Sequence, residues 1–120
     1  MSVNNTYKVN DLDIKEYLED VKERTVQMID LSKIILFGSY ARGDYNSNSD
    51  VDLLFIVNED NDSLRRVRHK IDSLLQDRVF PTDILVYTED KLKEKENIIG
   101  ALPYTIKEEG EVIYDKQREN

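Results

Sequence analysis

The 120-residue chain contains no cysteine, which removes disulfides, thiolate metal sites and cysteine nucleophiles from consideration at once. Histidine occurs once, at His69, among the cations Arg65, Arg66, Arg68 and Lys70. That run reads as the solvated face of a helix and not as a general base or a metal ligand. No apolar stretch approaches the roughly 20 residues needed to span a bilayer. Residues 1–8 lack the pattern of a signal peptide, so a cytoplasmic location away from membranes is expected. Positive charge is scarce too: 17 Lys and Arg stand against 25 Asp and Glu, a net charge of -8. Sequence-independent attachment to DNA or RNA relies on basic side chains neutralising phosphates, so stable nucleic-acid binding is not expected. A basic protein surface is the better complement to such a chain. Internal repeats and low-complexity tracts are absent as well.

What is present concentrates between residues 34 and 57. The apolar run 34–37 ends in Gly38-Ser39, and ten residues after Ser39 comes Asp50-Val51-Asp52 at the head of a second apolar run, 53–57. This pattern predicts two strands joined by a polar turn, with the first strand apolar on both faces and therefore central. Side chains of a strand alternate, so Asp50 and Asp52 are expected on one face, in the row continued by Leu54 and Ile56. Two carboxylates so placed repel each other, and a divalent cation relieves them. Hard oxygen ligands suit Mg²⁺, which keeps waters and completes its shell with phosphate oxygens.

A third acid opens another apolar run, at Asp83 in Pro81-Thr82-Asp83-Ile84-Leu85-Val86-Tyr87. If that strand lies beside the Asp50/Asp52 strand, three carboxylates surround one or two ions, with Asp83 also able to accept a proton from an attacking hydroxyl. On the other side of the metal, Gly38 lets the backbone approach a triphosphate without a Cβ. Ser39 to Arg42 can open a short helix whose amides face the phosphates. Arg42 reads either as a phosphate partner or as an ion pair with Asp44 or Asp50. Tyr40 and Tyr45 read as aromatics packing locally in the turn, and Tyr104 as core.

The remaining elements follow from periodicity and caps. Asp11 and Asp13 open a helix whose apolar face is Ile14, Leu18, Val21, Thr25 and Met28, ending at Ser32-Lys33. Asn61 or Asp62 caps a second helix to about residue 77, with Leu64, Val67, Ile71, Leu74 and Leu75 inward. Residues 79–87 form the third strand, with Pro81 limiting its pairing at the start. Thr88 caps a charged helix, residues 97–109 form a last helical stretch that Pro103 starts and Gly110 stops, and residues 112–114 make a short edge strand. The expected organisation is one domain, 1–120, with residues 1–10 and 115–120 as loose ends. A transferase of this size has no second domain with which to shape an acceptor pocket, so the acceptor surface is expected on another chain.

Gly38-Ser39-Tyr40-Ala41-Arg42-Gly43-Asp44, then Ser49-Asp50-Val51-Asp52-Leu53-Leu54, then Asp83 opening a strand, resembles the DNA polymerase beta-type nucleotidyltransferase superfamily. Within it, the short chain resembles the minimal nucleotidyltransferase (MNT) antitoxins of type VII-like HEPN/MNT toxin–antitoxin pairs, which are MntA-like protein adenylyltransferases. The likeness runs from about residue 11 to residue 114 and includes the closing Glu109-Gly110-Glu111-Val112-Ile113-Tyr114. It implies an α+β nucleotidyltransferase fold with a small mixed or antiparallel sheet packed against helices. It further implies Mg²⁺-dependent transfer of AMP from ATP to a tyrosine of a cognate HEPN toxin, with Asp50, Asp52 and Asp83 as metal ligands and Gly38 and Ser39 holding the triphosphate. Two other outcomes stay open: an antitoxin that acts by binding alone, and nucleotidyl transfer to a small molecule or an RNA end. The first is disfavoured by the intact acids, the second by the missing acceptor domain and the acidity.

Overall fold

The structure, a computed structural model, describes residues 11–58 and 63–118. The expectations for residues 1–10, for a cap at Asn61 or Asp62 and for the last two residues of the chain lie outside the described residues. Helix α1 (Asp11–Val26) leads into strand β1 (Leu31–Phe37), the short helix α2 (Ser39–Arg42) and strand β2 (Val51–Val57). Then come α3 (Leu64–Leu74), β3 (Thr82–Thr88), α4 (Glu89–Lys95), α5 (Leu102–Glu109), β4 (Glu111–Asp115) and a closing 3₁₀ turn, Lys116–Arg118.

The four strands make one mixed sheet in the order β3-β2-β1-β4. β1 runs antiparallel to β2 and to β4, whereas β2 and β3 are parallel. A parallel pair needs a crossover, and α3 supplies it. β1 and β2 are central, as their two-sided apolar character requires: Ile34, Leu53, Leu54, Phe55 and Ile56 are fully buried. Each such side chain contributes roughly 1.5–3 kcal/mol relative to an exposed one.

The sheet is covered on both faces. On one, Ile34, Leu36, Leu53, Phe55, Ile84 and Val86 pack with Ile14, Tyr17, Leu18 and Val21 of α1 and Val67 and Ile71 of α3. On the other, Ile35, Phe37, Leu54 and Ile56 meet Ile106 of α5, with Leu85, Tyr87 and Leu92 at the margin. The second cover is thinner, because α4 and α5 are short. Strand alternation puts Asp52 and Asp83 on this thinly covered face, in the rows of Leu54 and Leu85.

Several boundaries differ from the sequence reading. β1 begins at Leu31, not at Ile34, so Ser32-Lys33 belongs to the strand and does not break the chain there. The register irregularity between Leu31 and Lys33 explains the polar pair: one extra residue is accommodated at the strand's start. α1 ends at Val26, and Met28 beyond it is exposed instead of extending the apolar face. Tyr17, which that face omitted, is buried. β3 begins at Thr82, leaving Val79 exposed before it. Residues 115–118 are not a loose end: Asp115 pairs with Lys33 in the sheet, and Lys116 Nζ donates to Asp30 Oδ1 at 2.9 Å. Thr88 does cap α4, its Oγ1 accepting from the Lys91 amide at 3.0 Å.

Candidate active site

Three strand ends meet at one rim of the sheet. In the antiparallel ladder Phe37 lies opposite Asp52, so the Gly38 turn leaves β1 beside the second acid of the Asp50-Val51-Asp52 segment. In the parallel ladder Asp52 lies opposite Asp83. The Val51 amide donates to the Pro81 carbonyl at 2.8 Å, which starts the parallel pairing one residue ahead of Thr82. Pro81, unable to donate, is thus used through its oxygen alone.

Gly38 is dictated by the same convergence. Its φ of 77° and ψ of -156° fall in a region open essentially to glycine. A Cβ at this position would run into the Asp52 carboxylate. The carbonyl of Gly38 accepts from the amides of Ala41 and Arg42, both at 3.0 Å, and Gly43, with φ 90°, closes α2 by donating to the Ser39 carbonyl. The amides of Ser39 and Tyr40 stand at the start of this turn, where an α-helix has no acceptor of its own for them.

Electrostatics mark Asp52 as the strained member. Burial, then the charge of Asp83 and a hydrogen bond with it, then the charge of Asp50, push its carboxyl up to about 6, while Arg42 pulls the other way. Asp52 and Asp83 stand opposite each other in the parallel ladder, which is why the charge of one bears on the other. Asp50 lies one residue ahead of β2 and is exposed; its charge is felt both by Asp52 and by the buried Tyr40 phenol, which burial and then Asp50 raise. Among the described residues no three acidic or imidazole groups close into a finished metal cage. A pair of register-matched carboxylates, with the charge of a third acid felt at Asp52, nevertheless fits a hard cation that draws its other ligands from water and phosphate. Asp52 and Asp83, with Asp50, are the residues that would hold it.

Arg42 takes the ion-pair alternative, though with a partner the sequence reading did not name. Its Nε meets Asp44 at 3.2 Å and a terminal nitrogen meets Glu109 at 3.0 Å, tying the turn to the end of α5. Tyr40 and Tyr45 stack with ring centres 4.4 Å apart, so both pack locally as expected. The stack is longer than that reading foresaw: Tyr40 meets Phe80 edge-on at 6.4 Å and Phe80 meets Tyr17 at 5.0 Å. Thr82 Oγ1 donates to the Phe80 carbonyl at 2.9 Å and lies 2.6 Å from the Tyr17 hydroxyl, which donates to it in turn. This aromatic chain braces α2, the loop before β2 and the lead-in to β3, the segments next to the acids.

Beside the acid pair lies a cavity of about 270 Å³. Asp52 and Asp83 line it together with apolar Phe37, Leu85 and Leu102, and Arg68 of α3 reaches it as well. Arg68 was read from sequence as part of a solvated cationic face; it is exposed, yet it borders the site. Helical periodicity shows that Arg68 is off the core row, but not that the edge of β3 stands next to it. Among the described residues no helix is long and apolar enough to cross a membrane.

The chain belongs to the nucleotidyltransferase domain family, whose model matches residues 14–115. It is similar to a protein of Methanocaldococcus jannaschii named "Putative protein adenylyltransferase", 37% identical over 101 residues that cover 84% of this chain and 94% of that one. A second protein of the same organism and name is 52% identical over 46 residues, 38% of this chain and 44% of the relative, so the match spans less than half of that relative's length. The fold resembles the crystal structure of a "putative nucleotidyltransferase" from Sulfolobus solfataricus, with TM-score 0.55 and 19% identity over 88% of this chain and 82% of that one.

Proposed function

We propose that this nucleotidyltransferase moves AMP from ATP to a tyrosine of a HEPN-family toxin protein, in a Mg²⁺-dependent reaction, and acts as that toxin's antitoxin. The observation that carries the transferase part is the register that sets Asp52 against both Asp83 and Gly38. The protein acceptor is supported by the name of the relative that this chain matches over 84% of its length. The toxin as acceptor rests on the resemblance of the Gly38–Asp44 and Ser49–Leu54 motifs to the MNT antitoxins.

In this reading the triphosphate lies against Gly38 and the amides that open α2. The acceptor oxygen bonds to the α-phosphorus while the bond from that phosphorus to the bridging oxygen breaks, and pyrophosphate leaves with the electron pair. Asp83 takes the hydroxyl proton, and Asp52 and Asp50 fix the geometry from the adjoining strand. Magnesium, as one or two ions, would be held by Asp50, Asp52 and Asp83 and would supply neutralisation of the phosphate charge.

The test is incubation with α-labelled ATP, Mg²⁺ and the protein encoded next to this one, followed by intact mass. Gain of AMP on that protein, lost in Asp50→Ala with Asp52→Ala, is the expected result. Inhibition of the partner by the double variant without any mass change would replace transfer by binding alone. Label on an RNA or a small molecule, and none on protein, would refute the acceptor.

A further inference from the structure

An in-line displacement places the entering oxygen and the leaving pyrophosphate on opposite sides of the α-phosphorus. Across the sheet rim the order is Gly38 at the end of β1, Asp52 on β2, Asp83 on β3, and then Arg68 from α3. With the pyrophosphate on the Gly38 side, the acceptor has to enter from beyond Asp83. The cavity of about 270 Å³ runs along this rim, from Phe37 at the end of β1 past Asp52 and Asp83 to Arg68, with Leu85 and Leu102 in its wall.

Two features continue outward from this opening. Ile98, Ile99 and Leu102 are 53%, 81% and 43% exposed, so three of the six large apolar residues left exposed among the described residues fall within five positions of one another. Leu102 belongs both to this patch and to the cavity wall. Arg68 has no ion-pair or hydrogen-bond partner among the described residues, whereas Arg24, Arg42 and Arg78 each hold a carboxylate. In a chain of net charge -8, a cation left unmatched beside the catalytic cavity is available to a partner.

We infer that Arg68 and the Ile98–Ile99–Leu102 patch together form the docking surface for the acceptor protein, and that they select a hydroxyl-bearing aromatic side chain flanked by an acidic residue. The proposal rests on the adenylyl-transfer reading above. The aromatic ring enters between Phe37, Leu85 and Leu102, which offer apolar contact and no hydrogen-bonding frame for a sugar. Its oxygen reaches Asp83 and receives the adenylyl group as pyrophosphate departs. The flanking carboxylate meets Arg68, and a neighbouring apolar side chain covers Ile98 and Ile99. Arg68 acts on acceptor choice, not on the reacting atoms.

The probes are two peptides, acetyl-Ala-Glu-Tyr-Leu-amide and its counterpart with lysine in place of glutamate, supplied with ATP and Mg²⁺ and read by mass for AMP. The wild type should prefer the acidic peptide, and Arg68→Glu should prefer the basic one. Arg68→Ala should raise KM for the acidic peptide about fivefold, the size of one exposed ion pair, with kcat unchanged. Ile99→Asp, at an exposed position where folding is not at stake, should raise KM for both peptides. Binding of a non-hydrolysable ATP analogue with Mg²⁺, followed by calorimetry, should be the same in all variants. An unchanged charge preference in Arg68→Glu overturns the proposal, as does loss of ATP-analogue binding in that variant, which would put Arg68 on the phosphates. Failure of the underlying reading gives a different result: the wild type binds the analogue but labels no peptide and no protein, and the docking surface falls with it.

Discussion

Replacing Asp52 by Asn should make the metal-free protein more stable while abolishing its chemistry. Asp52 is half-buried against Asp83, and its carboxyl is raised from 3.8 to about 6, chiefly by burial and then by Asp83. A carboxyl whose folded value is raised favours the folded state only while protonated. That stability is present in full below the unfolded value and is lost as pH climbs through the folded one. The loss thus falls between about pH 4 and pH 6. Roughly two units at ~1.4 kcal/mol each set a ceiling of about 3 kcal/mol. Solvent screening of a half-exposed group lowers the expected figure to about 1–1.5 kcal/mol, or about 4–6 °C in Tm for a domain this size. Asn relieves the strain because its amide can donate to Asp83. The assay is thermal and urea unfolding of wild type and Asp52→Asn in EDTA from pH 4 to pH 7.5. The variant should gain stability over the wild type as pH rises and lose the advantage near pH 4. Adding Mg²⁺ with an ATP analogue should stabilise the wild type and not the variant. Equal melting at pH 7.5, or a difference that ignores pH, would refute the electrostatic account of this site.

Other expectations follow from single contacts. Gly38→Ala combines a positive φ with a clash at Asp52; it should cost about 1–3 kcal/mol in unfolding measurements and lower transfer at least a hundredfold in the labelling assay. Arg42→Ala removes exposed pairs with Asp44 and Glu109, so urea unfolding should show little change in stability. Because Arg42 also restrains the Asp52 carboxyl from rising further, the pH midpoint of Mg²⁺-ATP-analogue binding should move upward in that variant. Tyr17→Phe deletes the bond to Thr82 and should cost about 1 kcal/mol by urea unfolding, with the ring contact to Phe80 retained.

The elements that carry the site were legible because their signals are local. The apolar runs ending at Phe37 and starting at Val51, the glycine at the turn and the polar loop between them are fixed by chain-neighbour chemistry, and β1, α2 and β2 lie where that chemistry puts them. The ends of elements were less legible. Ser32 and Lys33 look like a break, yet β1 runs through them: Lys33 pairs with Ile56 and Asp115, and Ser32 is the extra residue at the register shift, because neighbouring strands supply acceptors and donors that a sequence window does not contain.

Residue order by itself determined that three acids and a glycine turn would each stand at the end of an apolar strand, since alternation and turn chemistry act within a few residues. Only the tertiary structure decided that β3 lies parallel against β2 with Asp83 opposite Asp52, that Glu109 takes the fork of Arg42, and that Arg68 borders the cavity. Those neighbours are 31, 67 and, for Arg68 and Asp83, 15 positions apart along the chain. What brings them together is burial of both sheet faces, a property of the whole core and of no single stretch.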